Sequence, residues 1–311
     1  MIAAITFNPA LDKTIRVKNI AYGEVNRVNQ FREDLGGKGI NMGRILGGFG
    51  IQTKHITVIG EENEKTVLEF FKKDNMALDY IKVPGHTRTN IVIVETEKNI
   101  TTDINEEGTT VDATHIKKLF KLIDKVAEDS TYLVMGGSLA KGMPVEMYGL
   151  VANKYKNQCK VVIDADDEFL IEGLKGRPYL IKPNIHELEN ALDRELKSDN
   201  EVVKAAREII AKYGVTYVLV SMGKDGSILV TEEQSFKGEA IETTIVSTVG
   251  AGDSMLAGFV FGLEKEMSLR QCLAFGSACA ALTIGVEGYP VLSLEKAMGV
   301  SRKAKVHELD Y

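Results

Sequence analysis

The segment best suited to chemistry is TVGAGD at 248–253, which joins a predicted strand to a predicted helix. Free backbone N–H groups of Gly250, Ala251 and Gly252 would converge at the start of that helix and form an anion hole. The carboxylate of Asp253, beside the hole, could accept a proton from an attacking hydroxyl group. Asp is also a common helix cap, so spacing alone leaves a base and a cap as alternatives.

A second glycine-rich segment, GGKGIN at 36–41, also precedes a helical pattern. Its glycines would let the backbone approach a ligand closely, and the start of the helix would offer unpaired N–H groups. Lys38 adds a cation and Asn41 adds an amide. The alternative is a flexible turn that carries a surface lysine.

A third segment, KPNIHE at 182–187, follows a predicted strand. Asn184 and Glu187 have the spacing of a capping box, in which each side chain bonds the other residue's backbone. The same pair could hold a hydrated Mg²⁺ ion, which binds few protein carboxylates and usually keeps several waters. The sequence leaves both interpretations open.

Two shorter segments, NPALD at 8–12 and TRTN at 87–90, complete the set of candidates. Asp12 would lie just beyond the carboxyl end of the first strand, where open α/β sheets bind ligands. The planar guanidinium group of Arg88 suits a phosphate group. Taken alone, each segment is better explained as surface structure than as a site.

The elements that would position these residues alternate between strand and helix, which predicts an α/β fold with a mostly parallel sheet. Buried strands are predicted at Ile2–Phe7, His55–Ile59, Tyr132–Met135, Val161–Ile163, Tyr179–Ile181 and Tyr217–Val220, with a hairpin-like region at Ser227–Ile245 that includes a strand at Thr243–Val246. Helices are predicted at Ile40–Phe49, Glu64–Lys73, Ala113–Ala127, Val145–Tyr155, Glu201–Tyr213, Asp253–Glu264 and Leu269–Gly285.

Two segments, Lys13–Lys18 and Thr89–Ile104, break this rhythm because polar and apolar residues alternate in them. Such alternation is typical of strands with one solvated face. We expect exposed antiparallel strands that form one small discontinuous β-lid inserted in the core. With no linker rich in Pro, Gly or Ser, one domain with a lid is favoured over two domains.

Composition narrows the function classes. The 311 residues carry a formal charge of −6, so the composition does not indicate the basic surface that binds nucleic acid. The three cysteines include no CxxC pair, which argues against a disulfide framework or a zinc site. The chain shows no signal-peptide pattern and no apolar run of membrane-spanning length, so we expect a cytoplasmic protein without a membrane partner. The phosphate loop GxxxxGK[ST], the dinucleotide motif GxGxxG and the zinc motif HExxH are all missing.

Taken together, TVGAGDSMLAG at 248–258 and GGKGIN at 36–41 resemble the two signature regions of the PfkB-type, ribokinase-like carbohydrate kinases. The resemblance covers essentially the whole chain. Further segments resemble the phosphosugar branch of that family: NPALD at 8–12, RTN at 88–90, TDIN at 102–105, GSLAKG at 137–142 and IKPN at 181–184.

The resemblance implies a single domain over residues 1–311. Its core would be a three-layer α/β/α sandwich around a mostly parallel sheet. The β-lid would comprise about residues 12–34 and 87–106, and two chains would form a homodimer by clasping their lids.

The resemblance also implies roles for individual residues. Asp253 matches the catalytic base, and Gly250, Ala251 and Gly252 match the anion hole. Contacts to the sugar phosphate are implied for Asp12, Gly37, Lys38, Asn41, Arg88, Asn90 and Ser138, with Arg27 on a lid segment that reaches toward a partner subunit's site. The ATP-binding side is matched by Lys182, Asn184, Ser221, Gly223, Gly226 and Thr248. Glu187, with Asn184, matches the Mg²⁺ region, with contact through water.

The activity implied is transfer of the γ-phosphoryl group of ATP to a ketohexose monophosphate. We favour fructose 1-phosphate, which would give fructose 1,6-bisphosphate; tagatose 6-phosphate, giving the tagatose bisphosphate, is the alternative. A non-catalytic sugar-phosphate sensor is a more remote one. Lys38 and Arg88 make a nucleoside substrate less expected, because an uncharged nucleoside needs no paired cations.

Two departures from the family pattern stand out. Many relatives have small residues after the strand that ends at Asp164, whereas this chain has Asp166 and Asp167. These carboxylates could alter the affinity for nucleotide or metal. Gly43 stands where the family usually has Ala, which removes no reacting group.

Overall fold

Strand β1 (Ile2–Thr6) is buried along its whole length because helices cover both faces of the sheet that contains it. The computed structural model describes residues 1–28, 30–98 and 100–310. Side chains of β1 alternate between two separate cores, with Ala3 and Ile5 in one and Ile2 and Ala4 in the other. This alternation is expected of a strand with two buried faces.

The described strands are β1 (Ile2–Thr6), β2 (Ala10–Val17), β3 (Gln30–Gly36), β4 (Thr53–Gly60), β5 (Leu78–Val83), β6 (Arg88–Glu95), β7 (Ile100–Asn105), β8 (Tyr132–Gly136), β9 (Lys160–Asp164), β10 (Leu180–Ile181), β11 (Tyr217–Ser221), β12 (Ser227–Val230), β13 (Ser235–Gly238) and β14 (Val306–Glu308). The described α-helices are α1 (Lys38–Gly48), α2 (Glu64–Lys73), α3 (Ala113–Ala127), α4 (Met147–Tyr155), α5 (Asp167–Lys175), α6 (Ile185–Leu192), α7 (Asp199–Tyr213), α8 (Ala251–Glu264), α9 (Leu269–Ile284) and α10 (Leu294–Ser301).

The large sheet has the strand order β14-β13-β12-β11-β10-β9-β8-β1-β4-β5. Strands from β11 through β5 run parallel, and β12 to β14 add an antiparallel edge. Helices α1, α8, α9 and α10 pack on one face, and α3, α4, α5, α6 and α7 contribute to the core on the other. The predicted three-layer α/β/α architecture with a mostly parallel sheet is therefore confirmed.

A second sheet of four strands, ordered β3-β2-β6-β7, lies in the segments expected to form the lid. We call it the small sheet. The expectation of purely antiparallel strands was wrong, since β2 and β6 pair in parallel. After β3 the chain leaves the small sheet and forms β4 and β5 in the large sheet. It then returns to the small sheet as β6, which runs in the same direction as β2. Asn29 and Asn99 of the predicted lid segments, and Tyr311, lie outside the described residues.

The predicted strand at Thr243–Val246 is also wrong, and the hairpin ends at Gly238. The far edge of β13 is occupied by β14, so it offers no place to the following residues. The chain instead runs along the end of α9, where the N–H groups of Val246 and Ser247 donate to the carbonyl of Ile284. None of the described helices is long and apolar enough to cross a membrane.

Gly43 of α1 makes room for His55 of β4, a fully buried residue whose two ring nitrogens have no hydrogen-bond partner among the described atoms. A Cβ atom at position 43 would overlap Cε1 of His55 and lie 2.9 Å from Cβ of Ala4. The departure from the usual Ala therefore has a packing reason.

We predict that Gly43→Ala lowers the free energy of unfolding by about 1–3 kcal/mol, the usual cost of overpacking a core. Gly299→Ala is the matched control, because position 299 is also helical and a Cβ there meets nothing within 4 Å. That control should gain up to about 1 kcal/mol through helix propensity. Urea denaturation measures both, and a stabilising Gly43→Ala would contradict the packing argument.

Candidate active site

A cavity of about 390 Å³ lies where the large and small sheets meet, beyond the carboxyl ends of β1 and β8. It brings together nine of the site residues predicted from the sequence: Asp12, Gly37, Lys38, Asn41, Arg88, Asn90, Ser138, Gly250 and Asp253. Because parallel strands end at the same edge of a sheet, residues far apart in sequence converge there.

Helix α8 begins at this cavity, and its N-cap is Gly250. Gly250 has φ of +76°, a left-handed conformation that favours glycine, and no side chain caps the helix. The first N–H groups of a helix have no intrahelical acceptor, so that of Gly252 is available to an anion, whereas that of Ala251 donates to the carbonyl of Thr248. Asp253 is the third residue of the helix and does not act as its cap.

The carboxylate of Asp253 is buried and accepts a hydrogen bond of 2.7 Å at Oδ2 from Nδ2 of Asn41. Burial, together with the negative charge of Asp164, raises the pKa of Asp253 to about 6, although Lys38 and the Asn41 amide act in the opposite direction. A carboxyl group with this pKa is ionised at neutral pH yet basic enough to take up a proton.

Asp12 of β2 is the second buried carboxylate of the cavity. Its Oδ1 accepts from Nδ2 of Asn90 at 2.8 Å, and its Oδ2 accepts from the hydroxyl of Tyr289 at 2.5 Å. Burial raises the pKa of Asp12 despite these two hydrogen bonds. Gly36 allows this placement, because a Cβ there would overlap Asp12 Oδ2.

Arg88 offers a free donor within the cavity region. Its Nη2 donates to the carbonyl of Asn8 at 3.1 Å, whereas its buried Nε has no hydrogen-bond partner among the described atoms. Burial lowers the pKa of the Arg88 guanidinium. Nδ2 of Asn8 also donates to Oγ of Ser138 at 3.1 Å, which fixes the Ser138 hydroxyl at the cavity wall.

Lys38 forms ion pairs with two carboxylates, at 3.1 Å from Asp164 and 2.6 Å from Asp166. Burial opposes the charged ammonium, but Asp164, Asp166 and Asp253 outweigh it and hold the pKa of Lys38 above its ordinary value. Asp166, one of the residues that depart from the family pattern, thus lies in the cavity and contacts Lys38 directly.

Lys182 follows β10 and lies 3.2 Å from the other carboxylate oxygen of Asp164. Burial raises the pKa of Asp164, but Lys182 and Lys38 exceed this effect, so the pKa falls below its ordinary value. The ammonium also lies close to the start of α8, 3.1 Å from where a Cβ of Gly252 would be. This places a buried cation beside the first turn of α8.

Asn184 and Glu187 form the predicted capping box at the start of α6. Burial raises the pKa of Glu187 to about 7. Carboxylate oxygens of Asp164, Asp166 and Glu187 lie within 4.8 Å of one another. A set of hard oxygen donors with this spacing fits Mg²⁺. The sequence indicated Glu187 and Asn184 as the residues that hold the ion, and Asp166 as one that could alter the affinity for metal.

The other predicted residues lie outside the lining of this cavity. Ser221 ends β11 and bridges to Asn184, and Gly223 and Gly226 flank the short turn that follows. Thr248 precedes α8 and accepts from the N–H of Ala251 at 3.3 Å. Arg27 is exposed in the loop between β2 and β3.

Sequence reasoning overlooked Tyr289 and Arg44. Tyr289 lies in a loop after α9, and a single Tyr between Gly and Pro carries no recognisable pattern. Arg44 is one of the few buried charged residues, and it donates to Oδ1 of Asn41 at 2.9 Å. The i, i+3 spacing of Asn41 and Arg44 on α1 indicates that their side chains meet, but the burial of Arg44 follows only from the packing.

We predict that Asp253→Asn stabilises the fold in a pH-dependent manner. The folded pKa of about 6 exceeds the ordinary 3.8, so the ionised carboxylate opposes folding. Wild-type stability should therefore fall, relative to the variant, as pH rises from 4 to 6, by about 1–3 kcal/mol. Denaturation with urea from pH 4 to 8 tests this, with the exposed Asp103→Asn as control. The prediction would be contradicted if the free energies of unfolding of wild type and Asp253→Asn changed in parallel with pH.

Comparisons with known proteins agree with this geometry. A family model described as pfkB family carbohydrate kinase matches residues 5–295. The chain is 33% identical to a 1-phosphofructokinase of Haemophilus influenzae, with 98% of this chain and 97% of that protein covered. It is 31% identical to a 1-phosphofructokinase of Vibrio cholerae, with 99% and 97% covered. Its fold resembles phosphofructokinase-2 of Escherichia coli in complex with potassium, with a TM-score of 0.90 at 24% identity and coverage of 97% and 98%. The chain therefore belongs to the pfkB family of carbohydrate kinases.

Proposed function

We propose that this protein transfers the γ-phosphoryl group of ATP to the free primary hydroxyl of fructose 1-phosphate, which gives fructose 1,6-bisphosphate. The observation that carries the proposal is the buried Asp253 carboxylate in the first turn of α8, opposite a cavity wall of Asp12, Asn90 and Arg88. Relatives named 1-phosphofructokinase, similar over nearly the whole chain, support the choice of sugar. ATP as donor supports a cytoplasmic location.

Asp253 acts as the base in this proposal. Its carboxylate accepts the proton of the sugar hydroxyl as the oxygen attacks the phosphorus, while the bond to the leaving ADP oxygen breaks. Phosphoryl transfer depends mainly on positioning and charge stabilisation. The amides of Gly250, Ala251 and Gly252 would stabilise the oxygens of the transferred group, and Lys182 would add positive charge there.

The acceptor sugar is oriented by the small sheet. Asp12 and Asn90 would bind its hydroxyl groups, and Gly37, Asn41 and Ser138 line the same space. Arg88, which lines the cavity, would contact the phosphate already on the sugar. Lys38 could exchange its carboxylate partners for phosphate oxygens when both substrates are bound.

The nucleotide would extend toward the loops that contain Asn184, Ser221, Gly223, Gly226 and Thr248. Asp164, Asp166 and Glu187 would hold Mg²⁺, with Asn184 nearby, directly or through water. When bound, this ion neutralises charge on the phosphate oxygens. The hydrogen bonds of the Asn184–Glu187 capping box hold the Glu187 carboxylate at the start of α6.

We predict ATP-dependent formation of fructose 1,6-bisphosphate, with a higher kcat/KM for fructose 1-phosphate than for tagatose 6-phosphate or fructose 6-phosphate. Removal of a positioned base costs about 10²–10⁴-fold in rate, so Asp253→Asn should lower kcat by that factor. Its KM for the sugar should change little. A coupled assay of ADP release across the three sugars measures both.

Different outcomes would lead to different conclusions. A greater kcat/KM for tagatose 6-phosphate would mean that tagatose 6-phosphate is the substrate, and the proposed mechanism would still hold. Sugar phosphate binding without turnover would indicate a sensor. Wild-type turnover by Asp253→Asn would refute the role of Asp253 as the base.

We also propose that two chains form a homodimer through the small sheet. Register pairs put Asp12, Asp34 and Asn90 on one face of that sheet, toward the cavity. Alternation then puts apolar side chains on the opposite face: Ile15, Phe31, Ile91, Ile93 and Ile104. Phe31 is 73% exposed and Ile104 is 54% exposed, and such a patch on a small sheet favours a second copy as its cover. A dimer of this kind would allow Arg27 to reach the site of the partner subunit.

We predict that Phe31→Glu converts the dimer into a monomer, because a charge would be buried in an apolar interface. Light scattering coupled to size exclusion measures the mass. Leu150→Glu is the matched control. Leu150 is also a large apolar residue, 49% exposed, but it lies on α4 beside the large sheet and not on the small sheet. An unchanged dimer mass for Phe31→Glu would exclude this interface.

A further inference from the structure

We infer that Arg44 is a positioning residue that fixes the orientation of the Asn41 side chain and thereby holds Asp253 in place for proton transfer. Arg44 lies on α1 and does not line the cavity. The inference rests on the proposed function, because it concerns the residue proposed there as base.

The orientation of the Asn41 amide follows from hydrogen-bond chemistry. An Asn side chain accepts at Oδ1 and donates at Nδ2, whereas a guanidinium group can only donate and a carboxylate can only accept. Nη1 of Arg44 donates to Asn41 Oδ1 at 2.9 Å, and Asn41 Nδ2 donates to Asp253 Oδ2 at 2.7 Å. Rotation of the amide by half a turn would place donor against donor and acceptor against acceptor. Arg44 therefore selects the orientation in which Asn41 can bond Asp253.

Arg44 is itself held rigidly from three directions. Its Nε donates to Oδ2 of Asp74 at 2.8 Å, just beyond the end of α2, and its Nη2 donates to the carbonyl of Leu35 in β3 at 2.9 Å. The guanidinium also lies 5.8 Å from the centre of the Tyr289 ring. A planar fork with several fixed donors can make these contacts simultaneously, whereas the point charge of a Lys cannot.

Arg44 acts on Asp253 through the amide, because the Asn41 hydrogen bond and not the charge of Arg44 is among the main influences on the pKa of Asp253. The charged and titratable groups that act on Asp253 lie outside its own helix α8. They are Asp164 at the end of β9, Lys38 on α1, Lys182 after β10, and the hydroxyl of Tyr289. Among these influences, the Asn41 hydrogen bond lowers the pKa of Asp253. Its loss should raise that pKa and leave less ionised base at neutral pH.

The test compares Arg44→Met and Arg44→Lys with wild type in kcat and in the pH dependence of kcat/KM for fructose 1-phosphate. We expect kcat to fall about 10- to 100-fold, as for a misplaced catalytic group. We also expect the acid limb of kcat/KM, which reports the free enzyme's base, to move upward by about 0.5–1 pH unit, the equivalent of one hydrogen bond. In an Asn41→Ala background, Arg44→Lys should cause no further shift, because the mediating amide is already gone.

Val67→Ala is the control for general destabilisation. Val67 is buried in the cluster that includes Ile40 of α1, so the variant should lose stability and keep the wild-type acid limb. If neither Arg44 variant folds, Asp74→Asn, at a residue with a 20% exposed side chain, weakens the same anchor and should shift the limb in the same direction.

The inference is overturned if folded Arg44 variants keep the wild-type acid limb, or if the shift persists undiminished without Asn41. Both results would leave the proposed function intact as long as Asp253→Asn is inactive. Wild-type turnover by Asp253→Asn would instead refute the proposed function itself.

Discussion

The structure depends on keeping one carboxylate, that of Asp253, buried and available at the start of α8. Burial of a charge is costly unless hydrogen bonds or opposite charges compensate it. Here Asn41 supplies one hydrogen bond, and Lys38 and Lys182 supply positive charge, while Asp164 opposes them. The compensation is incomplete, so the pKa of Asp253 stays well above that of an ordinary Asp. A fully paired carboxylate would be easier to bury but would be a poor base.

The same balance explains why the acidic residues of the cavity do not simply repel one another. Asp164 is nearly fully buried between the ammonium groups of Lys38 and Lys182. Asp166 adds a further carboxylate on the more exposed side of Lys38. Lys38 therefore links the side of the cavity proposed for the nucleotide to Asp253, and its charge is shared among three carboxylates. Phosphate groups that enter the cavity compete with these carboxylates for the same cation.

Much of the fold could be predicted from the sequence because buried parallel strands and amphipathic helices leave clear patterns. The bounds of α2 and α3 were predicted without error, and β8 and β9 within one residue. Strand pairing in the small sheet was not predictable, because β2 and β6 are separated by two strands of the other sheet. The false strand at Thr243–Val246 shows the limit of propensity, since β-branched residues form a strand only where an edge is free.

For the candidate site, glycine-rich segments and their neighbouring polar residues were a sufficient guide to most of the cavity wall. They gave no indication of the contacts between these residues, such as that of Asn41 with Asp253, 212 positions away. Tyr289 and Arg44 were missed because each acts through another side chain. Their importance follows from three-dimensional packing, which a local sequence pattern does not contain.

The division of the site between two sheets has a physical consequence for the reaction. The proposed base and anion hole belong to the core around the large sheet, whereas Asp12, Asn90 and Arg88 belong to the small sheet. The two parts are joined by the bond from Tyr289 to Asp12 and by that from Arg32 to the carbonyl of Glu287, at 2.7 Å. If the sugar binds as proposed, any shift of the small sheet moves it relative to Asp253. Because proton transfer needs heavy atoms within hydrogen-bond distance, the loop at 287–289 would then set the alignment of the reacting groups as directly as α8 does.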